Sequence, residues 1–561
     1  MPIKNYFRLL FASFLFTVSA ISIFAQSSKP SFNRVRTFDV QHYTIRISFD
    51  RENKTISGDT IVLLKPLQNN FNRIELDAAD IKFESVKLES EKKEIPFKLS
   101  DEKIYLTLDK NYSPADLIAV RFKYSAKPSK GVYFVRKDSG NQGINHPAQI
   151  WTQGEPEEAR HWFPSYDFPD DKATSEQFIT VEKGETAIGN GESLGVIEND
   201  DGTKTFHFKM PVPHSTYLTS FVVGAYKKIS DSYKNIPLGF YTYPGKESVA
   251  QRSNSQTKEM MRVFEELTGI NYPFNKYDQT VVANFTFGGM ENITATTMSD
   301  TEMFLNRPND VEDLISHELA HSWFGNLVTC RNWAELWLNE GFATYMEAAY
   351  REKKYGRNDY LRKLREDLEV FTANDAVNQN RHGLYNTLAR PDDSIFDPTN
   401  YQKGGLVIHT LRETVGTENF WKALNIYLNR HKFQNVETAD LQNVMEEVSK
   451  TDLDWFFDQW VYGAGYPKLR IEQFYNPRAK RLELIVEQTQ AADKITPEAF
   501  VLPMEIEITL ENGEKKTEKI EIKKRRETFS IKLNGEPKKI VFDKDEKILL
   551  KAMKIQSLKK R

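Results

Sequence analysis

Two histidines and a glutamate stand at a spacing that could bind one metal ion. His317 and His321 are four positions apart, which places both imidazoles on the same face of a helix, one turn from each other. Glu340 follows nineteen positions after His321. Two histidines and one carboxylate leave the fourth position of a tetrahedral zinc ion open, as in catalytic zinc sites. The spacing therefore predicts a hydrolase that uses one Zn²⁺ ion.

Glu318, directly after the first histidine, could polarise a water molecule bound to that metal. The alternative is that these polar residues lie on an exposed helix face. Their neighbours include the apolar residues Leu319, Ala320 and Trp323, so we expect the helix to be buried, and buried His and Glu need partners. Another branch of zinc enzymes uses a histidine six positions after the second one, where this chain has Leu327, so the glutamate remains the candidate third ligand.

The elements that must position these residues divide the chain into three regions. Residues 26–228 alternate between apolar and polar with frequent turns, which predicts an all-β domain. Residues 229–462 are mostly helical with a small sheet and contain the helix-like segment that carries Glu340, from Glu335 to Tyr350. Alternation returns in residues 463–561, which predicts a small β-sandwich. A chain of 561 residues is expected to form two to four domains.

Individual patterns give approximate bounds for many elements. Strands are predicted at 42–49, 60–64, 104–108, 118–124, 205–209, 219–223, 277–285, 469–474, 482–486, 504–510 and 518–522. Helices are predicted at 247–267, 359–371, 404–415, 417–430 and 438–449. Together these patterns indicate a multidomain α+β protein.

Composition and charge are those of an ordinary soluble protein and indicate no polyanionic partner. Hydrophobic residues make up 39% of the chain, charged residues 28%, and the formal net charge is −3. This balance gives no reason to expect nucleic acid or an anionic membrane as a partner. Cys330 is the single cysteine, so no intramolecular disulfide is possible and the domains must rely on their cores.

The N-terminus has the order of a secretory signal peptide. Lys4 and Arg8 precede an apolar stretch from Leu9 to Phe24, and Ala25 is followed by polar residues. An uncleaved membrane anchor is the alternative, but the apolar stretch is short for one and contains several hydroxyl residues. We therefore expect a signal peptide over residues 1–25, export to the periplasm or the extracellular space, and no stable membrane insertion after its removal.

Three further segments carry residues suited to substrate binding. Gln153-Gly154-Glu155 lies in the first region, Gly288-Gly289-Met290-Glu291-Asn292 follows a predicted strand, and Tyr401 lies sixty-one positions after the glutamate ligand. With these motifs in this order, the chain resembles the M1 family of zinc aminopeptidases, which share a Gly-x-Met-Glu-Asn motif. Its second motif residue is Gly289, where many members have alanine, a small change that we expect to leave the chemistry intact.

The resemblance implies an N-terminal β saddle, a thermolysin-like, mostly helical catalytic domain and a C-terminal β-sandwich. It implies that His317, His321 and Glu340 hold Zn²⁺. Glu318 would act first as general base and then as general acid. The Tyr401 hydroxyl would donate a hydrogen bond to the oxyanion that forms on a peptide carbonyl.

The resemblance also implies how a free N-terminus is recognised. The α-amine has a pKa near about 8 and is largely cationic at neutral pH, so nearby carboxylates stabilise it. Glu155 and Glu291 are similar to the family's pair of such carboxylates, with Gln153 beside them. Gly288, Gly289 and Met290 complete the substrate-binding segment; the glycines permit close approach of the backbone to a ligand. The expected substrates are peptides with a free N-terminus.

Two other functions stay open on the sequence. One is a different hydrolase on the same scaffold, such as an epoxide hydrolase or an endopeptidase. The other is a non-catalytic, zinc-stabilised protein that binds peptides. Glu318 and Tyr401 are not needed to retain a metal, which favours catalysis over binding alone.

Overall fold

Strands come first along the chain, helices second and strands again last, which confirms the predicted α+β class. The structure is a computed structural model that describes residues 32–138, 143–548 and 550–560. The predicted signal peptide, residues 1–25, lies outside them. From Asn33 onwards the chain forms one compact unit, and the domain boundaries at 228 and 462 stay predictions.

The N-terminal β-rich region forms because apolar residues alternate along its strands. In the first strand, for example, Tyr43, Ile45 and Ile47 are buried while the residues between them are partly exposed. The strands are β1 Phe38–Asp50, β2 Thr55–Pro66, β3 Phe71–Asp77, β4 Ile81–Leu88, β5 Lys93–Glu94, β6 Phe97–Ser100, β7 Lys103–Tyr112, β8 Ile118–Ala126, β9 Val132–Val135, β10 Gln149–Thr152, β11 Ala173–Val181, β12 Thr186–Gly189, β13 Glu192–Glu198, β14 Lys204–His214 and β15 Phe221–Gly224.

These strands pair into three sheets within the described residues. The largest has the order β13-β14-β11-β1-β2-β8-β4-β5, and the other two are β12-β15-β10-β9 and β3-β7-β6. Most pairs are antiparallel, but β1 and β11 are parallel. Strand β10 matters most for the site, because the segment after Thr152 leads directly to Gln153 and Glu155.

The middle region combines a five-stranded sheet, of order β16-β17-β18-β20-β19, with helices and a short parallel pair, β21-β22. Its strands are β16 Lys227–Tyr233, β17 Ile236–Thr242, β18 Tyr277–Val282, β19 Gly289–Met290, β20 Ala295–Ser299, β21 Thr329–Cys330 and β22 Asn435–Val436. Its α-helices are α1 Glu247–Ser253, α2 Thr257–Thr268, α3 Asp300–Leu305, α4 Pro308–Ala320, α5 Trp337–Tyr355, α6 Arg357–Asp375, α7 Gly404–Val415, α8 Thr417–Arg430, α9 Thr438–Ser449 and α10 Asp454–Phe457.

Helices α4 and α5 form the centre of this region. Pro308 occupies the start of α4, where its missing N–H is not needed. Helix α5 is buried around its whole circumference from Trp337 to Arg351, which is typical of a helix at the core of a domain. The polar residues that these helices carry are therefore held out of water.

Most predicted elements differ from the structure by a few residues at their ends, and two are interrupted or end early. The helix expected over 247–267 is interrupted by a 3₁₀ turn at Asn254–Gln256, where the side chain and the backbone N–H of Asn254 both donate to the Ala250 carbonyl. The strand expected over 277–285 ends at Val282, because Asn284 adopts a left-handed backbone with a φ of 62°.

The C-terminal β region consists of β23 Lys468–Asn476, β24 Arg481–Gln488, β25 Leu502–Leu510, β26 Lys515–Ile522, β27 Arg526–Lys532, β28 Pro537–Phe542, β29 Ala552–Ile555 and β30 Lys559–Lys560. One sheet has the order β27-β24-β23-β29, with β30 also pairing with β23, and the other has the order β26-β25-β28. Across the part of the chain that the structure describes, no helix is both long and apolar enough to span a bilayer.

Candidate active site

The C-terminal end of α4 presents the two histidines. His317 lies in the last turn, and His321 follows Ala320 as the helix cap, with its N–H donating to the His317 carbonyl. The centroids of the two imidazole rings are 4.8 Å apart. Both side chains are buried, so the helix places two nitrogen ligands side by side and out of water.

Helix α5 brings Glu340 to the same point. Glu340 lies in the first turn of this helix, after a 3₁₀ turn formed by Trp333–Glu335. Its Oε2 atom lies 3.2 Å from His317 Nε2 and 3.4 Å from His321 Nε2. One carboxylate oxygen thus contacts the same nitrogen of both rings, and the ligand atoms lie within 4.8 Å of one another. This donor set fits one zinc ion with an open fourth position.

The other nitrogen of each ring is held by an acceptor. His317 Nδ1 donates to Glu347 Oε1 at 2.8 Å, and His321 Nδ1 donates to the Phe324 carbonyl at 3.0 Å. In the neutral ring that binds a metal, a hydrogen on Nδ1 leaves the lone pair on Nε2, the nitrogen nearest to Glu340. Both rings are therefore fixed in the tautomer that a metal ligand needs.

Glu347 is in turn held by a lysine on helix α6. Lys363 Nζ lies 2.8 Å from Glu347 Oε2 and 2.7 Å from Asp367 Oδ1. All three side chains are buried. Burial favours the neutral form of Glu347, but Lys363 and His317 outweigh it and lower the pKa of that carboxyl, so it stays charged as an acceptor.

Glu318 lines the same cavity beside the histidines. Its side chain is buried, and its Oε2 atom has no hydrogen-bond partner among the described residues. Burial is the main cause that raises the pKa of Glu318 to about 8, opposed by the two histidines. Gly289 leaves space for this side chain, since a Cβ at that position would lie 2.0 Å from Glu318 Oε1. An alanine at 289 would therefore require the carboxylate to move.

The segment Gly288–Glu291 forms the edge of the sheet next to the cavity. Gly288 has a φ of 84°, a conformation that favours glycine, and turns the chain into β19. Gly289 and Met290 pair with β20, and both line the cavity, whereas Gly288 lies just outside its lining. Glu291 follows at once, with one Oε1 atom 3.8 Å from His321 Nδ1.

Gln153 and Glu155 approach the cavity from the N-terminal region. Gln153 Nε2 lies 3.2 Å from the Met290 sulfur, which joins this segment to the edge strand. Carboxylate oxygens of Glu155, Glu291 and Glu340 lie within 4.8 Å of one another. The structure thus brings the candidate amine-binding carboxylates and the candidate metal ligands into one buried cluster.

The cluster concentrates negative charge. Burial and then the neighbouring Glu291 raise the pKa of Glu155 well above its usual value, and burial is also the main cause that raises the pKa of Glu291. Burial has the same direction for Glu340, but His321 and His317 outweigh it and lower its pKa to about 2. A bound metal or ammonium ion would add positive charge and lower the pKa of the carboxyls around it.

Tyr401 reaches the cluster because two helices approach closely at glycines. It lies in a π-helical turn, Thr399–Lys403, that leads into α7. A Cβ on Gly404 would lie 2.7 Å from the Gly341 Cα, so α7 can contact α5 only without side chains there. The Tyr401 ring stacks on His317 with centroids 5.8 Å apart. Burial and the nearby Glu340 raise the pKa of its hydroxyl, which stays a proton donor.

These residues surround one cavity of about 560 Å³. Ten of the eleven residues singled out from the sequence line it, the exception being Gly288. Its remaining walls are partly apolar and come from several separate elements, namely Phe287, Leu314, Thr344, Glu347, Val370, Phe396, Asp397, Pro398 and Gln402. The cavity can therefore hold an apolar side chain next to a polar, metal-binding wall.

Sequence reasoning missed the residues behind the histidines. Glu347 lies seven positions after Glu340, two turns along the same helix face, and this spacing could have indicated it. Lys363 and Asp367 form an i,i+4 pair, which is common on exposed helices and gave no sign of a buried role.

Comparison with known proteins identifies two matching family descriptions. Residues 39–218 match the peptidase M1 N-terminal domain, and residues 253–460 match the peptidase family M1 domain. Together the two ranges cover about two thirds of the chain. Every candidate site residue lies inside one of them.

Named relatives are aminopeptidases. Aminopeptidase 2 of Candida albicans is 27% identical over 454 residues, which are 78% of this chain and 48% of that protein. Glutamyl aminopeptidase of Bos taurus is 33% identical over 346 residues, 59% of this chain and 36% of that protein. Probable aminopeptidase 2 of Sulfurisphaera tokodaii is 27% identical over 510 residues, 89% of this chain and 62% of that protein. The matched stretch thus spans less than two thirds of each relative.

Proposed function

The chain belongs to peptidase family M1, and on that premise we propose that it is a zinc-dependent aminopeptidase that removes the N-terminal residue from peptides. The observation that carries the proposal is the placement of two kinds of group in one cavity. Glu155 and Glu291 could hold an ammonium group, and His317, His321 and Glu340 could hold zinc within a few ångströms of them.

This proximity favours cleavage after the first residue. In an N-terminal residue the amine nitrogen and the scissile carbonyl carbon are both bonded to the same Cα, so they are about 2.5 Å apart. A carboxylate pair that binds the amine therefore holds this carbonyl, and no later one, beside the metal ligands. Binding energy from the amine is used to orient the first peptide bond.

Each remaining residue has a role that its position supports. A zinc ion at the His₂Glu set would polarise the carbonyl and lower the pKa of the attacking water. Glu318 is placed to accept the proton of that water and to deliver it to the leaving amine. The Tyr401 hydroxyl would donate a hydrogen bond to the carbonyl oxygen as negative charge develops there.

The test compares substrates that differ only at the amine. We expect a leucine reporter amide with a free amine to be hydrolysed, the N-acetylated reporter not to be, and a zinc chelator to abolish the activity until zinc is restored. We also expect Glu291→Ala to lower kcat/KM for the free-amine reporter by about 10- to 100-fold, because a charge-assisted hydrogen bond is lost.

Other outcomes would identify the alternatives. Equal hydrolysis of the acetylated and free reporters would indicate an endopeptidase. Turnover of an epoxide with no peptide cleavage would indicate an epoxide hydrolase. Zinc and peptide binding with no turnover of any substrate would indicate a binding protein, and each of these results contradicts the proposal.

We also propose a finer description of the three regions. The N-terminal strands would form the β saddle of residues 26–228, the helical middle the thermolysin-like domain of residues 229–462, and the last strands the β-sandwich of residues 463–561. Separate expression of residues 463–561 tests the last boundary, and an unfolded product would contradict it.

Export is proposed on the sequence alone. Residues 1–25 have the basic, apolar and small-residue order of a signal peptide, so the mature enzyme would act in the periplasm or outside the cell. N-terminal sequencing of the secreted protein tests this, with Gln26 as the expected first residue after cleavage at Ala25 and Ile21 after cleavage at Ala20. A product that retains Lys4 and Arg8 would contradict it.

A further inference from the structure

Glu157 lies two residues after the candidate amine-binding Glu155 and faces a different environment. It is buried, but it is not part of the cavity lining, so it does not contact a substrate there. In Glu155, by contrast, the buried Oε1 atom has no hydrogen-bond partner among the described residues. The segment is held on both sides of Glu155: Gln153 Nε2 lies 3.4 Å from the Glu155 carbonyl oxygen on one side, and the Glu157 carboxylate is hydrogen-bonded on the other.

Three donors converge on the Glu157 carboxylate. Arg34 Nη2 donates to Oε2 at 2.8 Å, and Arg160 Nη2 donates to the same oxygen. The Trp333 indole N–H donates to the other oxygen, Oε1, at 3.0 Å. Both oxygens are thus occupied by donors from three separate parts of the chain, and each bond is charge-assisted.

The indole connects this carboxylate to the metal side of the cavity. Trp333 begins the 3₁₀ turn Trp333–Glu335, whose end leads into α5. The Leu336 N–H donates to the Trp333 carbonyl, and the Glu340 N–H donates to the Leu336 carbonyl. Two backbone bonds therefore connect the indole-bearing residue to the candidate zinc ligand. Asn332 fixes the start of the turn, because its side chain accepts from the Ala334 N–H.

The two arginines belong to a buried ionic set that we call the junction cluster. Arg34 Nη1 also donates to Asp77 Oδ2 at 2.8 Å, and Arg160 Nε also donates to Asp167 Oδ2 at 3.2 Å. The junction cluster consists of Arg34, Asp77, Glu157, Arg160 and Asp167. Its carboxylates are all buried and each has at least one guanidinium partner, so the cluster resists displacement of any member.

We propose that Glu157 and Trp333 are positioning residues that set the separation between Glu155 and the metal ligands. This rests on the proposed aminopeptidase function. Glu157 fixes the segment that carries Glu155, and Trp333 fixes the turn that carries Glu340, so their hydrogen bond fixes one relative to the other. A displacement of about 1 Å in such a site can lower the rate about 100-fold. Loss of the hydrogen bond between Glu157 and Trp333 should therefore have a measurable effect.

The experiment uses the full-length zinc enzyme and three substitutions. Trp333→Phe removes the N–H and keeps most of the ring packing. Glu157→Gln keeps the shape of the side chain and removes its charge. Glu158→Gln is the matched control, because Glu158 is the adjacent residue and is also ion-paired, but with Lys130 and His161 of the N-terminal region.

The readout separates positioning of the amine site from general damage. For each variant we would measure zinc content, kcat and KM for a leucine reporter, and inhibition by leucinol and by 4-methylpentan-1-ol, which lacks the amine. We expect Trp333→Phe and Glu157→Gln to raise the inhibition constant of leucinol about tenfold and to raise KM by a similar factor. Zinc content and the inhibition constant of the amine-free alcohol should not change. In Glu158→Gln, neither inhibition constant should change by more than about twofold.

Results that contradict the positioning role can be distinguished from results that contradict the proposed function. If Glu157→Gln and Glu158→Gln behave alike, or if both inhibitors weaken together, Glu157 has no specific role in positioning and the inference is wrong. If Glu157→Gln does not fold, Trp333→Phe alone decides by the same ratio of inhibition constants. A wild-type protein with no aminopeptidase activity would instead contradict the function itself.

Discussion

Two buried groups of carboxylates in this molecule have different partners: other carboxylates in the cavity, and arginines in the junction cluster. In the cavity, Glu155 and Glu291 lie beside Glu340, and Glu318 lies beside Glu291 and His321. In the junction cluster, each carboxylate faces a guanidinium. The chain moves from one environment to the other within the two residues that separate Glu155 from Glu157.

The electrostatics of the two residues show the consequence. Burial raises the pKa of both carboxyls, but at Glu155 the neighbouring carboxylates add to this effect, whereas at Glu157 Arg160 and then Arg34 oppose it. Two guanidiniums face the three carboxylates of the junction cluster, and Lys103 Nζ, 3.6 Å from Asp77 Oδ1, adds a third positive charge. The chain itself therefore supplies the charges that balance this cluster. Under the proposed function, the charges that balance the cavity would come from outside the chain, as a metal ion and a substrate ammonium group.

The largest expected effect comes from Glu318, the cavity carboxylate proposed to move a proton. Glu318→Gln should lower kcat by about 10²- to 10⁴-fold, because the amide cannot accept the proton of the attacking water. Zinc content should not change, since Glu318 is not among the three candidate ligands. Metal analysis and reporter kinetics on the same sample check both statements. Loss of zinc in this variant would show that Glu318 is a ligand and that its assigned role is wrong.

In the junction cluster the largest effect should be on stability. Arg160→Met leaves buried Glu157 and Asp167 short of one positive partner, which should lower the free energy of unfolding by about 3 to 5 kcal/mol. Urea unfolding of the zinc-free protein measures this. Arg262→Met is the control, because Arg262 forms only exposed pairs within helix α2 and should change stability little. Equal losses in both variants would remove the distinction between the two kinds of ion pair.

The sequence predicts the local elements well, because strand alternation and helix periodicity are local signals. The helices expected at 404–415, 417–430 and 438–449 have those bounds in the structure. The interruption at Asn254 was not predictable from periodicity, because the spacing of apolar residues carries no information on the side-chain hydrogen bond to a backbone carbonyl found there.

The candidate site was predictable only where its residues are close in sequence or carried by a family motif. His317 and His321 follow from helix geometry, but Glu155 could not be chosen over Glu157 and Glu158 by spacing alone. The structure distinguishes them by their partners: the cavity, Trp333 and Lys130, respectively. Such partners come from distant parts of the chain, so no local pattern contains them.

A smaller effect is expected one layer behind the metal ligands. Glu347→Gln replaces a charged acceptor of the His317 N–H by a neutral one and leaves Lys363 without one carboxylate, so zinc should bind about 10- to 100-fold more weakly. Competition with a chelator of known affinity measures the change. Glu352→Gln on the same helix is the control, because Glu352 pairs with Arg412 and not with a histidine. Equal zinc affinity in the two variants would show that this layer does not tune the metal site.

The smallest expected effect is also the most direct test of the comparison. Substitutions at Glu155 and Glu157 should change the free energy of unfolding in opposite directions. Burial and the neighbouring carboxyls raise the pKa of Glu155, so this group destabilises the zinc-free folded state at neutral pH, either as a repelled charge or because it must take up a proton. Glu155→Gln removes this destabilisation and should raise the free energy of unfolding by about 0.5 to 2 kcal/mol. Glu157→Gln removes the partner of two arginines and should lower it. Both changes convert a buried Glu to Gln two residues apart, so differences in size or location cannot account for opposite signs. Urea unfolding of both variants measures the two values, and addition of zinc should reduce the gain from Glu155→Gln, because the ion supplies the charge that the cavity lacks. Two shifts of the same sign would mean that both groups of carboxylates are balanced alike, and the separation into a catalytic and a structural cluster would then be wrong.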